Sequence, residues 1–328
     1  MNKSKVYFVK LNEIEKIKNL LPEFKAPLGV KVHFGEDGNI TYIPDAKIKP
    51  IIEIVDNPTL IECSVLYKSA RSIAKTHREL ALKHGFDFAP IDLLDGEEGD
   101  DFIEIEINKK HYDKCYLGKG LERYNSLLVV SHFKGHGGSK FGGALKNLGM
   151  GLASRKGKLA IHASIKHYIK KEKCISCGDC IKNCPASAIK FDENQKAEIN
   201  QNICISCSKC ISVCPEGAVR IPWSSTGAED LQERIAEYAL AASKEKQCYF
   251  INFLVNITSD CDCLSKEMPI LTPDIGILVS SDPIAIDQAS YDLVKKEYPE
   301  FEKHNGENQL KHGEEIGLGK RDYELISI

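Results

Sequence analysis

The sequence lacks an apolar run of the roughly 18 residues that a membrane-spanning helix needs. Its first residues, MNKSKVYFVKLNEI, lack the apolar block and the small-residue cleavage site of a secretory signal. An excess of either charge is also lacking, because 44 Lys and Arg stand against 47 Asp and Glu. These absences predict a cytoplasmic globular protein without a membrane span, and they argue against nucleic acid as a partner.

Cysteine, in contrast, is abundant, and its distribution is uneven. Eight of the 13 cysteines lie between Cys174 and Cys214. In a chain without a secretory signal, the reducing cytosol favours thiolates and metal ligands over disulfides. The cysteine-rich segment is therefore predicted to bind metal.

Two runs with one spacing account for the eight cysteines: CISCGDCIKNCP from Cys174 and CISCSKCISVCP from Cys204. Both fit C-x2-C-x2-C-x3-C-P, the bacterial ferredoxin pattern, in which the fourth cysteine of each motif binds the other cluster. Paired zinc sites are the alternative, but zinc requires neither the third cysteine nor the proline. The spacing predicts two 4Fe-4S clusters with crossed ligands: Cys174, Cys177, Cys180 and Cys214 for one, and Cys204, Cys207, Cys210 and Cys184 for the other.

Outside this segment, apolar runs alternate with helical patterns. That order predicts an α/β fold with a mostly parallel sheet flanked by helices. We expect a split α/β domain, residues 1–170 and 222–328, around a bacterial-type two-cluster ferredoxin insert at 171–221. The predicted strands are 6–10, 30–34, 126–131, 249–255 and 275–280, and the predicted helices are 11–21, 69–84, 230–243 and the segment that Asp282 caps and Pro283 begins.

The stretch SHFKGHGGSKFGGALKNLGMG, residues 131–151, contains seven glycines. A strand that leads through a glycine-rich loop into a helix presents backbone N–H groups at the carboxyl edge of a sheet, where anions bind. The nucleotide motifs G-x-x-x-x-G-K-[ST] and G-x-G-x-x-G are absent. The sequence therefore leaves open whether a nucleotide or flavin binds at this loop. Tight turns and close helix packing are the alternative explanation of the glycines. The predicted binding residues are Gly135, Gly137, Gly138, Gly142, Gly143, Lys140 and Asn147.

Four residues are candidates for catalysis. His132 and His136 are four residues apart beside the glycine loop, and Lys146 adds a positive charge. Asp287 lies early in the helix after Asp282 and is a candidate general base or histidine partner.

The run SDCDC adds a candidate third metal or redox site. Its Cys261 and Cys263 lie on one side of an extended chain, and Asp260 or Asp262 with a histidine would complete a tetrahedral site. A pair of reduced thiols in a loop is the alternative.

Several segments resemble the iron–sulfur proteins of the "domain of unknown function 362" family. They are KVHFG at 31–35, SHFKGH at 131–136, GGALKNLGMGLASR at 142–155, NITSDCDC at 256–263 and DPIAID at 282–287. The resemblance covers nearly the whole chain and implies the ferredoxin insert and the split domain, but it implies no reaction. The run IECSVLY at 61–67 departs from the family's Asp-Thr-Asn-Thr-Leu-Tyr, which argues against Cys63 as an obligatory ligand.

Together these features predict an iron–sulfur oxidoreductase. It would pass electrons from a soluble low-potential donor, such as a ferredoxin, through two 4Fe-4S clusters to an unidentified substrate or cofactor at the glycine loop. The alternative is a non-catalytic electron carrier or redox sensor, in which the α/β domain docks partners.

Overall fold

The fold is organised by one large β-sheet. The structure, a computed structural model, describes residues 3–163, 167–222 and 225–328. In these ranges the strands are β1 Ser4–Val9, β2 Leu28–Lys31, β3 Pro58–Glu62, β4 Ile91–Leu93, β5 Phe102–Glu106, β6 Lys114–Gly118, β7 Ser126–His132, β8 Lys134–His136, β9 Lys140–Gly142, β10 Tyr168–Ile169, β11 Ile189–Phe191, β12 Ala197–Ile199, β13 Val219–Arg220, β14 Gln247–Leu254, β15 Gly276–Ser280 and β16 Tyr323–Ser327.

Eight strands form the main sheet, in the order β16-β1-β15-β14-β7-β2-β3-β4. β15 pairs antiparallel with both of its neighbours, β1 and β14. The other neighbouring pairs are parallel, so the carboxyl ends of the strands other than β15 lie at one edge. The prediction of an α/β fold with a mostly parallel sheet flanked by helices is therefore confirmed.

Both faces of the sheet are buried, which explains the apolar character of its strands. All seven residues of β7 are buried. Its side chains alternate between two cores: Leu127 and Val129 pack into one, and Leu128 and Val130 into the other. This alternation follows from the two-residue period of a strand.

Helices cover each face. α3, α7 and α8 contribute to the core that contains Leu127, and α1 and α2 to the core that contains Leu128. No helix in the described residues is long and apolar enough to span a membrane. The α-helices are α1 Asp45–Ile52, α2 Ala74–Lys83, α3 Ala144–Leu152, α4 Arg155–His162, α5 Asp179–Lys182, α6 Lys209–Val213, α7 Ala228–Ser243, α8 Pro283–Glu297 and α9 Glu307–Glu315.

The cysteine-rich segment lies between main-sheet strands in sequence, and its described residues add no strand to that sheet. It consists of the short helices α5 and α6 and two two-stranded ribbons, β10 with β13 and β11 with β12. The β10–β13 pairing brings the two ends of the segment together.

Most predicted elements occur within a few residues of their expected bounds. The predicted helix at 11–21 is instead a 3-10 helix, Leu11–Asn19, with a break at Glu13. The helical pattern at 69–84 divides into a 3-10 turn, Ala70–Ser72, and α2. The prediction that Asp282 caps a helix with Pro283 in its first turn is confirmed, because its side chain accepts from the N–H groups of Ile284 and Ala285.

We expect Asp282→Ala to lower the free energy of unfolding by about 1–2 kcal/mol, as loss of a helix N-cap typically does. The substitution removes two cap bonds and two further bonds, from Ser4 Oγ (2.7 Å) and Lys320 N (2.9 Å). Urea unfolding followed by circular dichroism measures the change. Ser4→Ala, which removes one of these bonds, is the control and should cost less than about 1 kcal/mol. Equal losses in the two variants would contradict the capping role.

Candidate functional site

A cavity of about 400 Å³ lies at the carboxyl edge of the main sheet. Residues at or beyond the ends of β2, β3, β7 and β14 form its walls, with α3 and α4 closing the sides. This is the position at which open α/β sheets bind their ligands. The lining residues are His33, Glu62, Cys63, Val65, Leu66, Tyr67, Arg71, His132, Lys134, His136, Gly142, Gly143, Lys146, Asn147, Met150, Gly151, Lys158, His162, Cys261, Cys263 and Leu264.

The lining carries more cationic than anionic side chains. Arg71, Lys134, Lys146 and Lys158 are cationic, and Glu62 is the one carboxylate among the lining residues. Lys158 Nζ donates to the carbonyl of Ala153, and no carboxylate of the described residues lies within ion-pair distance of it. Arg71 pairs with Glu36, Lys134 with Asp262 and Lys146 with the Cys261 sulfur, so Lys158 is the cation of this group left to meet an anionic ligand.

The acidic groups that do occur are held by buried partners. Arg71 forms an ion pair with Glu36 at 2.9 Å. Lys31 Nζ lies 3.4 Å from Glu62 Oε1 and donates to Asn147 Oδ1 at 2.8 Å. Burial alone would raise the pKa of Glu62, but Lys31 and a hydrogen bond from His77 hold it well below its usual value. Glu62 is thus a fixed negative charge at the end of β3.

The thiols of Cys261 and Cys263 meet at the cavity wall, with their Sγ atoms 2.7 Å apart. Lys146 Nζ donates to Cys261 Sγ at 3.3 Å. The bond from the Cys263 thiol, together with Lys146 and His136, lowers the pKa of Cys261 well below its usual value. The same bond, with burial, raises the pKa of Cys263. The pair therefore favours a thiolate on Cys261 over one on Cys263.

His136 faces this thiolate as a donor. Its Nδ1 accepts from the N–H groups of Gly138 and Ser139 at 3.1 and 3.0 Å, which assigns the ring proton to Nε2. Burial lowers the pKa of His136, so the ring stays neutral while it donates to Cys261. The structure thus brings together three sequence-predicted residues: His136, Lys146 and Cys261.

His132 has a different environment from the one expected. Both of its ring nitrogens are bonded to oxygen, Nδ1 to Asp262 Oδ2 at 2.8 Å and Nε2 to the Val255 carbonyl at 2.7 Å. A metal ion would have to displace one of these bonds. Asp262 Oδ2 also forms an ion pair with Lys134 Nζ at 2.8 Å. His132 and Asp262 are therefore bonded to each other and to neighbouring protein groups, and a metal site formed by the two thiols, Asp260 or Asp262 and a histidine stays a prediction.

The predicted anion position at the start of α3 is filled by the chain itself. Asp287 accepts from the N–H groups of Ala144 and Leu145 at 2.7 and 2.9 Å and from Asn252 Nδ2 at 2.8 Å. Burial raises the pKa of Asp287 to about 6, although these three donors oppose the shift. The expectation of a free helix N-terminus is corrected accordingly, and Asp287 fixes α3 and the glycine loop with its carboxylate rather than facing the cavity as a base.

The loop glycines permit close packing at several positions. A Cβ at Gly143 would lie 2.3 Å from Asp287 Oδ1, and one at Gly135 would lie 2.6 Å from the Ser259 carbonyl. Gly138 leaves room for Leu231, whereas Gly137 has open space around it. Gly142 lies against Lys146 and Lys134 and, with Gly143 and Asn147, lines the cavity. Lys140, predicted to bind a ligand, is not among the lining residues; its carbonyl accepts from His304 Nδ1 at 2.9 Å.

Several lining residues were absent from the predicted site. His33 follows β2, and its Nε2 lies 3.1 Å from Arg71. Burial and Arg71 lower the pKa of His33 to about 3. The run KVHFG could have indicated His33, since it lies at the end of a strand, but Arg71 and Lys158 lie in helical or turn segments without a motif. Cys63 is buried, lines the cavity and donates to the Leu152 carbonyl at 3.4 Å.

The eight motif cysteines fall into two groups around two small cavities. Cys174, Cys177, Cys180 and Cys214 line one of them. The fourth cysteine of each motif thus lies with the first three of the other motif, since the second cavity is lined by Cys184, Cys204, Cys207 and Cys210.

The two small cavities lie next to the large one. Leu66 lines the large cavity and belongs to the same buried apolar cluster as Cys180, Cys210 and Cys214. Leu159 of α4 packs into that cluster as well, and His162, at the end of α4, lines the large cavity. Lys68 Nζ, outside the cysteine-rich segment, donates to the carbonyl of Pro215 within it at 3.0 Å.

A further group of potential metal ligands lies away from the cavity. His111, Asp230 and Glu233 place one ligand atom each within 4.8 Å of one another. Glu233 is already bonded to His111 at 2.6 Å and to Lys110 at 2.7 Å. A cation would have to compete with Lys110 for this carboxylate.

We expect Gly143→Ala to lower the free energy of unfolding by about 1–3 kcal/mol, the usual cost of overpacking a buried position. The added methyl would meet the carboxylate that holds the start of α3. Gly137→Ala, in the same loop but in open space, should change stability by no more than about 0.5 kcal/mol. Both values are measured by urea unfolding. Equal effects at the two positions would show that the loop glycines serve only local flexibility.

Comparison with known proteins gives a limited picture. No curated protein matches the chain. Among solved structures, the lactate racemase apoprotein from Thermoanaerobacterium thermosaccharolyticum is similar to 90% of this chain, with a TM-score of 0.45 and 12% identity. A protein from Thermotoga maritima is similar to 87% of it, with a TM-score of 0.40 and 12% identity. The chain covers 57% of the length of each of these structures.

A family profile matches residues 28–292, which include the cysteine-rich segment and all of the residues that line the cavity. The match agrees with the resemblance of the motifs at 31–35, 131–136 and 282–287. The chain belongs to the family described as Domain of unknown function (DUF362).

Proposed function

We propose that the protein is an iron–sulfur oxidoreductase. Its two groups of four cysteines hold two 4Fe-4S clusters, and a small substrate binds in the 400 Å³ cavity. A soluble low-potential protein donor supplies the electrons. When bound, the clusters would supply one-electron transfer at low potential.

The cysteine groups have the surroundings that cluster thiolates require. Backbone N–H groups point at their sulfurs: Ala218 N lies 3.1 Å from Cys214 Sγ, and Ala188 N lies 3.2 Å from Cys184 Sγ. Such hydrogen bonds, and an apolar shell, tune iron–sulfur sites. Zinc would accept the same thiolates, but the spacing of three cysteines per motif favours the cubane cluster.

The observation that carries the proposal is the contact between the two regions through Leu66. Leu66 lines the large cavity and belongs to the same buried apolar cluster as Cys180, Cys210 and Cys214. A substrate in the cavity would therefore lie against the apolar cluster that contains these cysteines. A simple carrier has no need of an internal cavity at that place.

Within the cavity, the chain's own residues would bind and orient the substrate. Lys158 and Lys134 offer positive charge to an anionic group. Cys261, with Lys146 and His136 beside it, offers a nucleophile or proton acceptor. Val65, Leu66 and Met150 exclude water from the remaining wall, which strengthens the electrostatic interactions inside.

One feature favours the alternative of a non-catalytic electron carrier. Ile175, Ile203 and Ile205, each next to a motif cysteine, are exposed by 59%, 50% and 50%. Apolar side chains beside redox centres suit the docking of another protein. In the proposed enzyme the same surface would receive the electron donor.

Single cysteine-to-serine substitutions test the clusters and their crossed ligands. We expect Cys184→Ser to impair the cluster of Cys204, Cys207 and Cys210, and Cys214→Ser to impair the cluster of the other motif. Iron analysis and electron paramagnetic resonance of anaerobically purified protein measure the loss. Cys248→Ser, outside both groups, should keep about eight irons per chain, as two cubane clusters require. Stoichiometric zinc, or iron loss confined to the mutated motif, would refute the assignment.

A second experiment separates enzyme from carrier. Reduced holoprotein is mixed with the protein-free small-molecule fraction of a cell extract, and reoxidation is followed in visible absorbance. We expect Lys158→Met to slow this reoxidation at least tenfold, about 1.4 kcal/mol, while leaving reoxidation by a viologen dye unchanged. Lys156→Met is the matched control, because its Nζ lies over the ring of Tyr116 at 3.7 Å rather than in the cavity. Equal rates for wild type and Lys158→Met would favour the carrier.

A further inference from the structure

We propose that Cys261 and Cys263 form a redox-active dithiol that reduces a small anionic disulfide in the cavity. The inference names a substrate class for the cavity and rests on the proposed function only in taking that cavity as the reaction site. It uses none of the eight motif cysteines.

The first argument is the distance between the two sulfurs. Their Sγ atoms lie 2.7 Å apart, and a disulfide bond needs about 2.05 Å. Both residues line the cavity, so a small molecule in it reaches both thiols. Side-chain rotation of two residues in a loop can close such a gap without moving a strand. The three other cysteines outside the motifs, Cys63, Cys115 and Cys248, have no sulfur neighbour of this kind among the described residues.

The second argument is the unequal environment of the two sulfurs. Cys261 Sγ accepts hydrogen bonds from Lys146 Nζ at 3.3 Å, from the Cys263 thiol, and from the Cys263 backbone N–H at 3.5 Å. His136, whose Nδ1 is occupied by two backbone N–H groups, also donates to it. Positive charge and several donors on one sulfur stabilise a thiolate there. Cys261 is thus the attacking sulfur, and Cys263 is the thiol that resolves the mixed disulfide.

The third argument is that the neighbouring side chains do not complete a metal site. His132 is bonded through both ring nitrogens, to Asp262 and to Val255. Asp262 is bonded to His132 and Lys134. The ammonium group of Lys146 lies against Cys261, at a position where a bound cation would be repelled. A redox-active dithiol, unlike a metal ion, requires no further ligand from these side chains.

The reaction is a two-step thiol–disulfide exchange. The Cys261 thiolate attacks a substrate R–S–S–R, so that the substrate S–S bond breaks, a Cys261–S–S–R bond forms and RS⁻ leaves. Cys263 then gives its proton to the RS⁻ released in the first step, forming RSH, and attacks Cys261 Sγ, which forms the Cys261–Cys263 disulfide and releases the second RS⁻. The cysteine pair is oxidised by two electrons and the substrate is reduced by two. The reverse exchange with a dithiol restores the pair.

The charge of the cavity indicates the charge of the substrate. Lys134, Lys158 and Arg71 line the cavity. Lys134 is paired with Asp262 and Arg71 with Glu36, whereas Lys158 has no carboxylate partner among the described residues. A disulfide whose arms end in carboxylates is attracted to this lining, and one whose arms end in ammonium groups is repelled. The volume of about 400 Å³ limits the substrate to a small molecule.

The test uses three small disulfides that differ in charge. Anaerobic full-length protein, reduced with dithiothreitol and desalted, is mixed with 3,3′-dithiodipropionate, neutral hydroxyethyl disulfide or cationic cystamine. Iodoacetamide stops the reaction, and peptide mass spectrometry follows residues 261–263. We expect a Cys261–Cys263 disulfide that dithiothreitol reverses. The rate with dithiodipropionate, normalised to that of free cysteine, should exceed the normalised rate with cystamine by about tenfold, and salt should reduce the ratio.

Variants make the assignment specific. Cys263→Ser should stop at a mixed disulfide on Cys261, and Cys261→Ser should react at least tenfold more slowly, about 1.4 kcal/mol. Cys248→Ser is the matched control and should behave as wild type. Two alkylatable thiols at 261 and 263 under all conditions, or stoichiometric zinc on the pair, would overturn the proposal. Cys184→Ser protein that loses iron but still forms the disulfide would support the dithiol, so failure of the clusters and failure of the dithiol are separate outcomes.

Discussion

The carboxyl ends of β2, β3, β7 and β14 meet at one edge of the sheet, and this constraint determines the rest of the site. Parallel strands leave their last residues side by side, so Glu62 and His132 come together from distant parts of the chain. The loop after β14 adds Cys261 and Cys263 at the same edge. Neither local motif forms a site alone. The glycine loop contributes by its compactness, because Asp287 can reach the start of α3 only where Gly143 has no side chain.

Many charged side chains of the site are buried. Their burial is tolerated only where each has an oppositely charged or hydrogen-bonding partner. Lys31 is fully buried and bonded to Glu62 and Asn147, while Asp262 is fully buried between His132 and Lys134. Removal of one partner from such a pair leaves an uncompensated charge, which costs more than the pair contributes. This cost favours the conformation in which these pairs are formed. It also leaves Lys158, without a carboxylate partner among the described residues, as the group best placed to meet a ligand's negative charge.

The sequence predicts the features that depend on local pattern. It does not predict contacts between residues that are far apart in the chain. The strand at 126–131 and the cap at Asp282 follow from periodicity and capping rules, and both occur nearly as expected. The grouping of Cys184 with the second motif followed from the geometry of a short cysteine run. Arg71 and Lys31, in contrast, resemble ordinary surface charges in sequence, and only the fold buries them beside Glu62. The glycine loop was assigned to an external anion because the carboxylate that fills the helix start, Asp287, lies over 140 residues away.

The position of the cysteine-rich segment in the chain is itself an argument about function. The segment follows α4, whose last residue, His162, lines the large cavity, and it is followed by α7, which packs on α3 beside the glycine loop. Its own ends pair with each other through β10 and β13. Contacts with the rest of the fold come from Lys68, which donates to the Pro215 carbonyl, and from Lys209, which pairs with Glu98 and Asp100. A segment that served only to meet other proteins would gain nothing from rigid attachment beside a buried cavity. In the proposed enzyme, electron transfer to a substrate would gain from a short separation, and Leu66 belongs both to the lining of the cavity and to the apolar cluster that contains Cys180 and Cys210.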